Sequence, residues 1–534
     1  MTTKSNNSGA GWLIIIAMVL GMILGIMFTP WLSRTSRASS APLGLKVERV
    51  TQLVERAYVD DIDAATLSER IISAILDELD PHCHYFSAQA LAREEESIRG
   101  NFEGIGVVLK YMDDSVFVNS VMPAGPAAGS GLVPGDKLLR VDSTDLSGSG
   151  LEPDQVVSHI RGPRGTTANL LVQSYGQSQP HTVSVARGVV STPSVAYHGM
   201  LDEGTGYIRV TRFAESTGRE FHDALADLVQ RRMKRLIVDL RGNSGGVLES
   251  ATDMANELLP RGSVIVYTEG AHSRRKTVRA NAGGLFTTGQ LAVVIDEYSA
   301  SASEIVAGAV QDNDRGLVVG RRSFGKGLVQ RQFELGDGSA VWLTVARYYT
   351  PSGRCIQRPY DRGTDEYYTE FLNRMFEQSM TDTALASLND STPYYTLNGR
   401  TVYGGGGIYP DHFLPYFTDS LLAYVNRLHN RGCIDRTAFR YTRANAATLV
   451  RQYPTADSFT ARFNPPQSLI DSVVADGQAN GIALDRRSLD KYRGFVATTL
   501  KAYIGESLHG DGLFTRIVLD NDDEISRTRK LLAQ

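Results

Sequence analysis

The feature that most restricts the fold is an alternation of short apolar strands and amphipathic helices that starts near Gly206. Strand patterns fall at Tyr207–Val210, Leu236–Leu240, Val264–Tyr267 and Leu291–Ile295, and helical periods at Glu220–Arg231, Leu248–Leu259 and Ser303–Gln311. In the first of these helices Phe221, Leu225, Leu228 and Val229 share one face. Such alternation predicts a layered α/β core. At 534 residues with 42% hydrophobic composition the chain can bury several cores, so three or four domains are expected.

The amino terminus adds a second constraint. No residue between Ser5 and Ser33 is charged, and Gly11–Phe28 is apolar apart from its glycines. At about 1.5 Å per residue this run nearly crosses a bilayer core. An uncleaved anchor through residues 11–28 is the expectation, because a cleaved signal usually has a shorter apolar stretch of about 7–15 residues. Ala38-Ser39-Ser40-Ala41 nonetheless offers small residues where a peptidase could cut. Lys4 on one side and Arg34 and Arg37 on the other leave the orientation open. Lys plus Arg total 55 against 59 Asp plus Glu, a net charge of −4 that excludes a general phosphate-neutralising face, so nucleic acid is not an expected partner. Cys83, Cys355 and Cys433 are too few and too scattered for a disulfide framework or a zinc site.

The expected organisation is a membrane segment (1–40), a helical region (41–98), a compact β-rich domain (99–188), the α/β core (189–417, with a polar insertion at 361–395) and a helical extension (418–534). In the helical region Val47, Val50, Leu53 and Val54, then Leu67, Ile71, Ile72 and Ile75, predict a hairpin. The β-rich domain reads as strands at Val107–Tyr111, Val116–Val121, Lys137–Val141, Ala168–Ser174 and His181–Ala186, with a helix at Pro153–Arg161. The helices of 418–534 are candidates for an oligomer or adaptor surface, the plainer expectation being that they pack on their own core.

Three loops could carry chemistry: Asp239–Gly246, Tyr298–Glu304 and Ser323–Gln330. Each lies where a strand ends or turns, and in an open α/β layer such ends share a crevice supplied with backbone donors. Taken alone, Ser301-Ala302-Ser303-Glu304 is a helix capping box and Lys326 a solvated turn lysine. Gly320 and Gly325-Lys326 fit part of a phosphate-binding loop, but Gly327 stands where a Ser or Thr must hold magnesium and a strand pattern follows. His82-Cys83-His84 lacks a second ligand cluster, so local structure is its expected role and no metal is expected.

Together with Leu79-Asp80-Pro81-His82 and Phe102-Glu103-Gly104-Ile105-Gly106-Val107, these loops resemble the carboxyl-terminal processing, or tail-specific, proteases. The resemblance runs from about residue 70 to 412. That family spaces its serine and lysine by 25 positions with a glutamine four further on, which matches Ser301, Lys326 and Gln330 and passes over Ser299 and Ser303. Cys83 stands where the family often has serine. The resemblance implies an α+β multidomain protein with a crotonase-like layered α/β core, an inserted PDZ domain at 99–188, helical terminal regions and one amino-terminal transmembrane helix. It implies that Gly104, Ile105, Gly106 and Val107 form the loop that receives a peptide carboxylate, that the substrates are proteins or peptides with exposed apolar carboxyl ends, and that the body lies in the periplasm.

The residue types suit an acyl transfer. A serine hydroxyl needs a base, and with no histidine placed by the motif the candidate is the neutral amine of Lys326. With an ordinary pKa of about 10.4 only about one lysine in 2,500 is neutral at pH 7, so Lys326 must be buried, with Gln330 orienting its amine. Asp312 is expected to be structural, since a carboxylate beside the lysine would oppose this. The oxyanion needs backbone donors, for which the amides of Gly245, Gly246 and Ala302 are candidates; which glycine serves is open. No cofactor is required. The alternatives are an inactive PDZ scaffold or peptide-delivery protein, and a small-ligand carrier, which would have no use for the lysine.

Overall fold

The computed structural model describes residues 43–281, 283–377, 392–415, 419–510 and 512–534. The expected membrane anchor at 11–28 lies outside the described residues; among these, no helix is long and apolar enough to cross a membrane. The chain divides into two units, residues 1–74 and 75–534. The first holds helix α1 (Leu43–Ala57) and most of α2 (Ala64–Asp77), at the expected hairpin positions.

In the second unit, α3 (Ala88–Arg99) leads into a small β-domain. Its strands Val107–Met112, Ser115–Val121, Lys137–Val141, Thr167–Gln173 and His181–Ala186 pair in that order, all antiparallel. Val118, Leu138, Leu170 and Val172 form its core with Val156 and Ile160 of α4 (Pro153–Ile160). Two strands not foreseen, Asn101–Gly104 and Gly188–Ser191, pair with each other where the chain enters and leaves this domain.

The α/β core is a sheet of order Val195–Met200, Thr205–Val210, Arg235–Asp239, Gln290–Ile295, Leu317–Gly320, His412–Phe413, parallel after the first antiparallel pair. Strand side chains alternate between faces. On one face Ile208, Val210, Leu236, Val238, Val293 and Ile295 pack against α5 (Thr217–Gln230), α6 (Leu248–Leu258) and α7 (Ala302–Asp312). A second, antiparallel sheet is centred on Ala340–Tyr349, which pairs with Leu328–Glu334, Val264–Gly270 and His84–Phe86. Val264–Gly270 also forms a hairpin with Ser273–Arg279 that the sequence pattern did not suggest.

Within the polar stretch 361–395, residues Thr364–Glu377 form a helix, α8, that buries Tyr367 and Phe371 at i, i+4 spacing. Beyond residue 418 the structure is helical: α9 (Leu422–Asn430), α10 (Cys433–Gln452), α11 (Ala456–Arg462), α12 (Gln467–Ala479), α13 (Arg486–His509), α14 (Gly512–Leu519) and α15 (Asp523–Leu532). The larger part, α9 to α13, packs on its own core around Val425, Leu428, Ile434, Phe459, Val473 and Leu500. The last two helices divide: Leu513 and Ile517 of α14 join that core, while Leu519, with Ile525 and Leu532 of α15, covers the other face of the core sheet, over Tyr207, Ile237, Ala292, Val294 and Val319.

Candidate active site

Three loops at the carboxyl ends of parallel strands build the site. The first follows Gln290–Ile295 and carries three serines. The Ser299 hydroxyl donates to the Leu240 carbonyl at 2.8 Å and the Ser303 hydroxyl to the Asn243 carbonyl at 2.9 Å, both fully buried. Ser301 alone of the three is partly exposed, and its backbone is strained, with φ 54° and ψ −112°. Such a conformation in a non-glycine residue costs about 1–3 kcal/mol and is held only by its surroundings. Ser301 caps α7, as the capping spacing suggested: Glu304 reaches back to the Ser301 N–H at 2.8 Å. The Glu304 N–H bonds to the Ser301 carbonyl at 2.9 Å.

The second loop follows Leu317–Gly320 and holds Lys326. It runs against the serine loop: the Phe324 N–H donates to the Ser299 carbonyl at 2.9 Å. Glu304, fully buried, also accepts from the Ser323 hydroxyl at 2.5 Å and from the N–H groups of Gly325 at 2.8 Å and Lys326 at 2.9 Å. One carboxylate therefore holds the amides of both Ser301 and Lys326. The Tyr348 hydroxyl repeats the connection from below, 3.0 Å from the Ser301 carbonyl oxygen and 2.6 Å from that of Lys326. The Lys326 ammonium donates to Gln330 Oε1 at 2.9 Å, and the Gln330 amide donates to the His82 carbonyl.

The third loop follows Arg235–Asp239. Gly245 has φ +103°, and a Cβ there would lie 2.8 Å from both Ser301 Cβ and the Ala300 carbonyl, so only glycine fits beside the serine. Its carbonyl is taken by the Phe213 N–H at 2.9 Å and its N–H by Asn243 Oδ1 at 2.9 Å. Among the described residues, neither the Gly246 nor the Ala302 N–H has a hydrogen-bond acceptor.

Burial sets the electrostatics. It lowers the Lys326 ammonium below the ordinary lysine range, opposed by the carboxylates of Asp80, Glu304 and Glu94. The same burial, with the Lys326 charge second, pushes His82 down to about 3, and its Nε2 meets the Tyr367 hydroxyl at 3.0 Å. The neighbouring histidine is thus neutral and occupied. Glu304 is raised by burial, against the four donors it accepts. Asp312 serves Arg354, at 2.7 Å, and not the lysine.

In the β-domain, Ile105 is buried in the core and Gly106 has φ +76° with Gly125 Cα 2.8 Å from where its Cβ would lie. Gly104 ends the Asn101–Gly104 strand, and Val107 opens Val107–Met112. The far edge of Val107–Met112 has no partner strand among the described residues, and Tyr111 at its end donates to the Pro153 carbonyl of α4 at 3.1 Å.

Several residues of this arrangement had no sequence signal. Tyr348 lies near the end of the Ala340–Tyr349 strand in an ordinary alternation, and Arg374, whose guanidinium donates to the carbonyls of Ser323 at 3.1 Å and Phe324 at 3.0 Å, lies in a stretch read as a polar insertion. Glu304 was visible only as a capping partner, and Asn243 only as part of a glycine turn.

Residues 204–365 match peptidase family S41, residues 96–173 match the PDZ domain, and residues 424–510 match a family of unknown function. A carboxy-terminal-processing protease of Bartonella bacilliformis is 33% identical over 312 residues, 58% of this chain and 71% of the relative. The carboxy-terminal processing protease CtpA of Bacillus subtilis is 29% identical over 351 residues, 65% of this chain and 74% of the relative. Among solved structures, a photosystem II D1 C-terminal processing protease is 28% identical over 58% of this chain and 88% of its own, with a TM-score of 0.33.

Proposed function

Because the chain belongs to the carboxy-terminal-processing serine proteases of peptidase family S41 and carries a PDZ domain, we propose that it cleaves proteins and peptides held by their apolar carboxyl ends, using Ser301 as nucleophile and Lys326 as base. The observation that carries the reading is the buried Glu304 carboxylate, which accepts the N–H groups of both residues. In the first step the Ser301 hydroxyl oxygen attacks the scissile carbonyl carbon while its proton passes to the neutral Lys326 amine. Gly246 and Ala302 are the proposed oxyanion donors, each worth about 3 kcal/mol in such sites, since Asn243 takes the Gly245 N–H. Lys326, now charged, returns the proton to the leaving amine; a water then releases the acyl group with Lys326 again as base. Gln330 holds the amine in place from the neighbouring strand.

The carboxylate loop is assigned to the backbone of Gly104–Val107, with the peptide added along the free edge of Val107–Met112. Residues 11–28 are assigned to a membrane anchor with the body in the periplasm, and the core to the crotonase-like class, on its parallel sheet with the nucleophile where strand meets helix. The test is casein hydrolysis by the full-length chain in detergent beside its Ser301→Ala and Lys326→Ala forms. Both substitutions are expected to reduce the rate by at least about 10³-fold; a wild type no faster than either overturns the assignment in favour of a peptide-holding scaffold.

A further inference from the structure

The loop that carries Gly245 and Gly246 is anchored at its base by Asp239, the last residue of its strand. Asp239 is fully buried and accepts from the Tyr207 hydroxyl at 2.7 Å, Arg209 at 3.0 Å, the Arg241 N–H at 3.0 Å and the Arg241 guanidinium at 3.0 and 2.6 Å. Five donors occupy this one carboxylate. The remaining arm of Arg241 turns outward to α15: Nη1 donates to Glu524 at 2.9 Å and to Asp522 at 3.3 Å, and Nη2 reaches the other Asp522 oxygen at 2.7 Å. Glu524 also accepts, through its second oxygen, from Arg321, whose Nε donates to Glu297 at 2.8 Å.

Arg241 stands four residues before Gly245, and Arg321 five residues before Lys326. One carboxylate near the end of the chain therefore bridges the bases of the glycine loop and the lysine loop. Both arginines are largely shielded from water, so these pairs are screened less than surface ones. The helix that carries Glu524 is seated by Ile525 and Leu532 on the core sheet, and Asp522 caps it by accepting the Ile525 N–H at 3.0 Å.

We propose that Glu524, assisted by Asp522, is a positioning residue of the protease: by bridging Arg241 and Arg321 it sets the distance between the oxyanion donors and the lysine. The inference rests on the Ser301–Lys326 reading. It makes the last helix part of the catalytic apparatus and not an appendage, and it identifies charge, more than shape, as what position 524 must supply.

The test uses the full-length chain in detergent with a fluorogenic peptide ending in apolar residues, and compares Glu524→Gln, Glu524→Asp and Asp522→Asn. Glu524→Gln is expected to lower kcat by about 10- to 100-fold with KM within about twofold. Glu524→Asp, which keeps the charge but not the length, is expected to retain more of kcat; a packing role ranks the two the other way. Hydrogen exchange of the amides in 241–246 and 321–327 is expected to quicken in Glu524→Gln. Asp522→Asn, which spares the bridge, is expected to lower kcat less and to quicken 241–246 alone, so that the assignment is judged even where Glu524→Gln fails to fold. An unchanged kcat, an effect confined to KM, glutamine matching or exceeding aspartate, or unaltered exchange overturns it. Ser301→Ala and Lys326→Ala run alongside: a wild type no faster than these sinks the serine–lysine reading, while the exchange data still decide the role of Glu524.

Discussion

In the proposed mechanism Lys326 joins activity and stability in one side chain. Its burial lowers the folded-state pKa below that of the unfolded chain, so between the two values the unfolded state binds more protons and stability rises with pH. Below the folded value the full penalty is present; above about 10.4 it vanishes, because the amine is neutral in both states. Lys326→Met is therefore expected to raise Tm at pH 7 while abolishing hydrolysis, with the gain shrinking as the pH approaches 10 in a series of thermal melts. Catalysis has the same sign: kcat/KM should climb with pH along a limb whose midpoint lies below the ordinary lysine value. An enzyme fastest at low pH contradicts a lysine base. Gly245→Ala places a methyl 2.8 Å from Ser301 Cβ at φ +103°. It is expected to cost about 1–3 kcal/mol in urea denaturation and to remove most activity, since the nearest atoms belong to the serine loop.

At the scale of elements, helix α8 is the part whose role was hardest to read. Arg374 is almost fully buried and donates to the carbonyls of Ser323, Phe324 and Gly406, while Arg358 lies 3.9 Å from the Tyr367 ring and 4.4 Å from that of Phe324. The helix thus holds the main chain two residues before Lys326. Arg374→Met leaves the Ser323 and Phe324 carbonyls without their donor, the Gly406 carbonyl keeping Arg322, and is expected to cost about 1–3 kcal/mol and to lower kcat; a variant with wild-type turnover would separate α8 from the lysine loop. The strands and helices of the core were legible because their burial follows periods of 2 and 3.6, local properties of the chain. Ser301, Lys326 and Gln330, the proposed catalytic group, were singled out in the sequence only through the family resemblance whose spacing they match. Tyr348, Arg374, Glu524 and the second role of Glu304 were not legible, because each acts on residues far away in sequence and no local pattern encodes a partner brought in by folding. The proposed choice of Gly246 over Gly245 likewise rests on the Asn243 side chain, which takes the Gly245 N–H.

Across the whole molecule, the β-domain is tied to the carboxyl-terminal helices through the strands beside its free edge. Phe439 of α10 packs on Phe117 with ring centroids 5.4 Å apart, Arg443 lies 4.6 Å over the same ring and donates to the Gly135 carbonyl at 2.9 Å, and Lys110 pairs with Asp435. Lys110 belongs to Val107–Met112, the strand proposed to receive peptide, so the helical region bears on the element that reads the substrate. Phe439 is almost fully buried, and truncating it to alanine removes packing worth about 3–5 kcal/mol; losing Arg443 as well adds about 1–2 kcal/mol. The double variant Phe439→Ala/Arg443→Ala is expected to split a single calorimetric transition in two, the β-domain melting first. Hydrolysis of long substrates that span the β-domain and the active site should fall by about tenfold, while short peptides that reach only Ser301 are cut at the wild-type rate. If the variant melts in one step at the wild-type temperature, or loses long and short substrates equally, the helical region does not hold the β-domain in its working position.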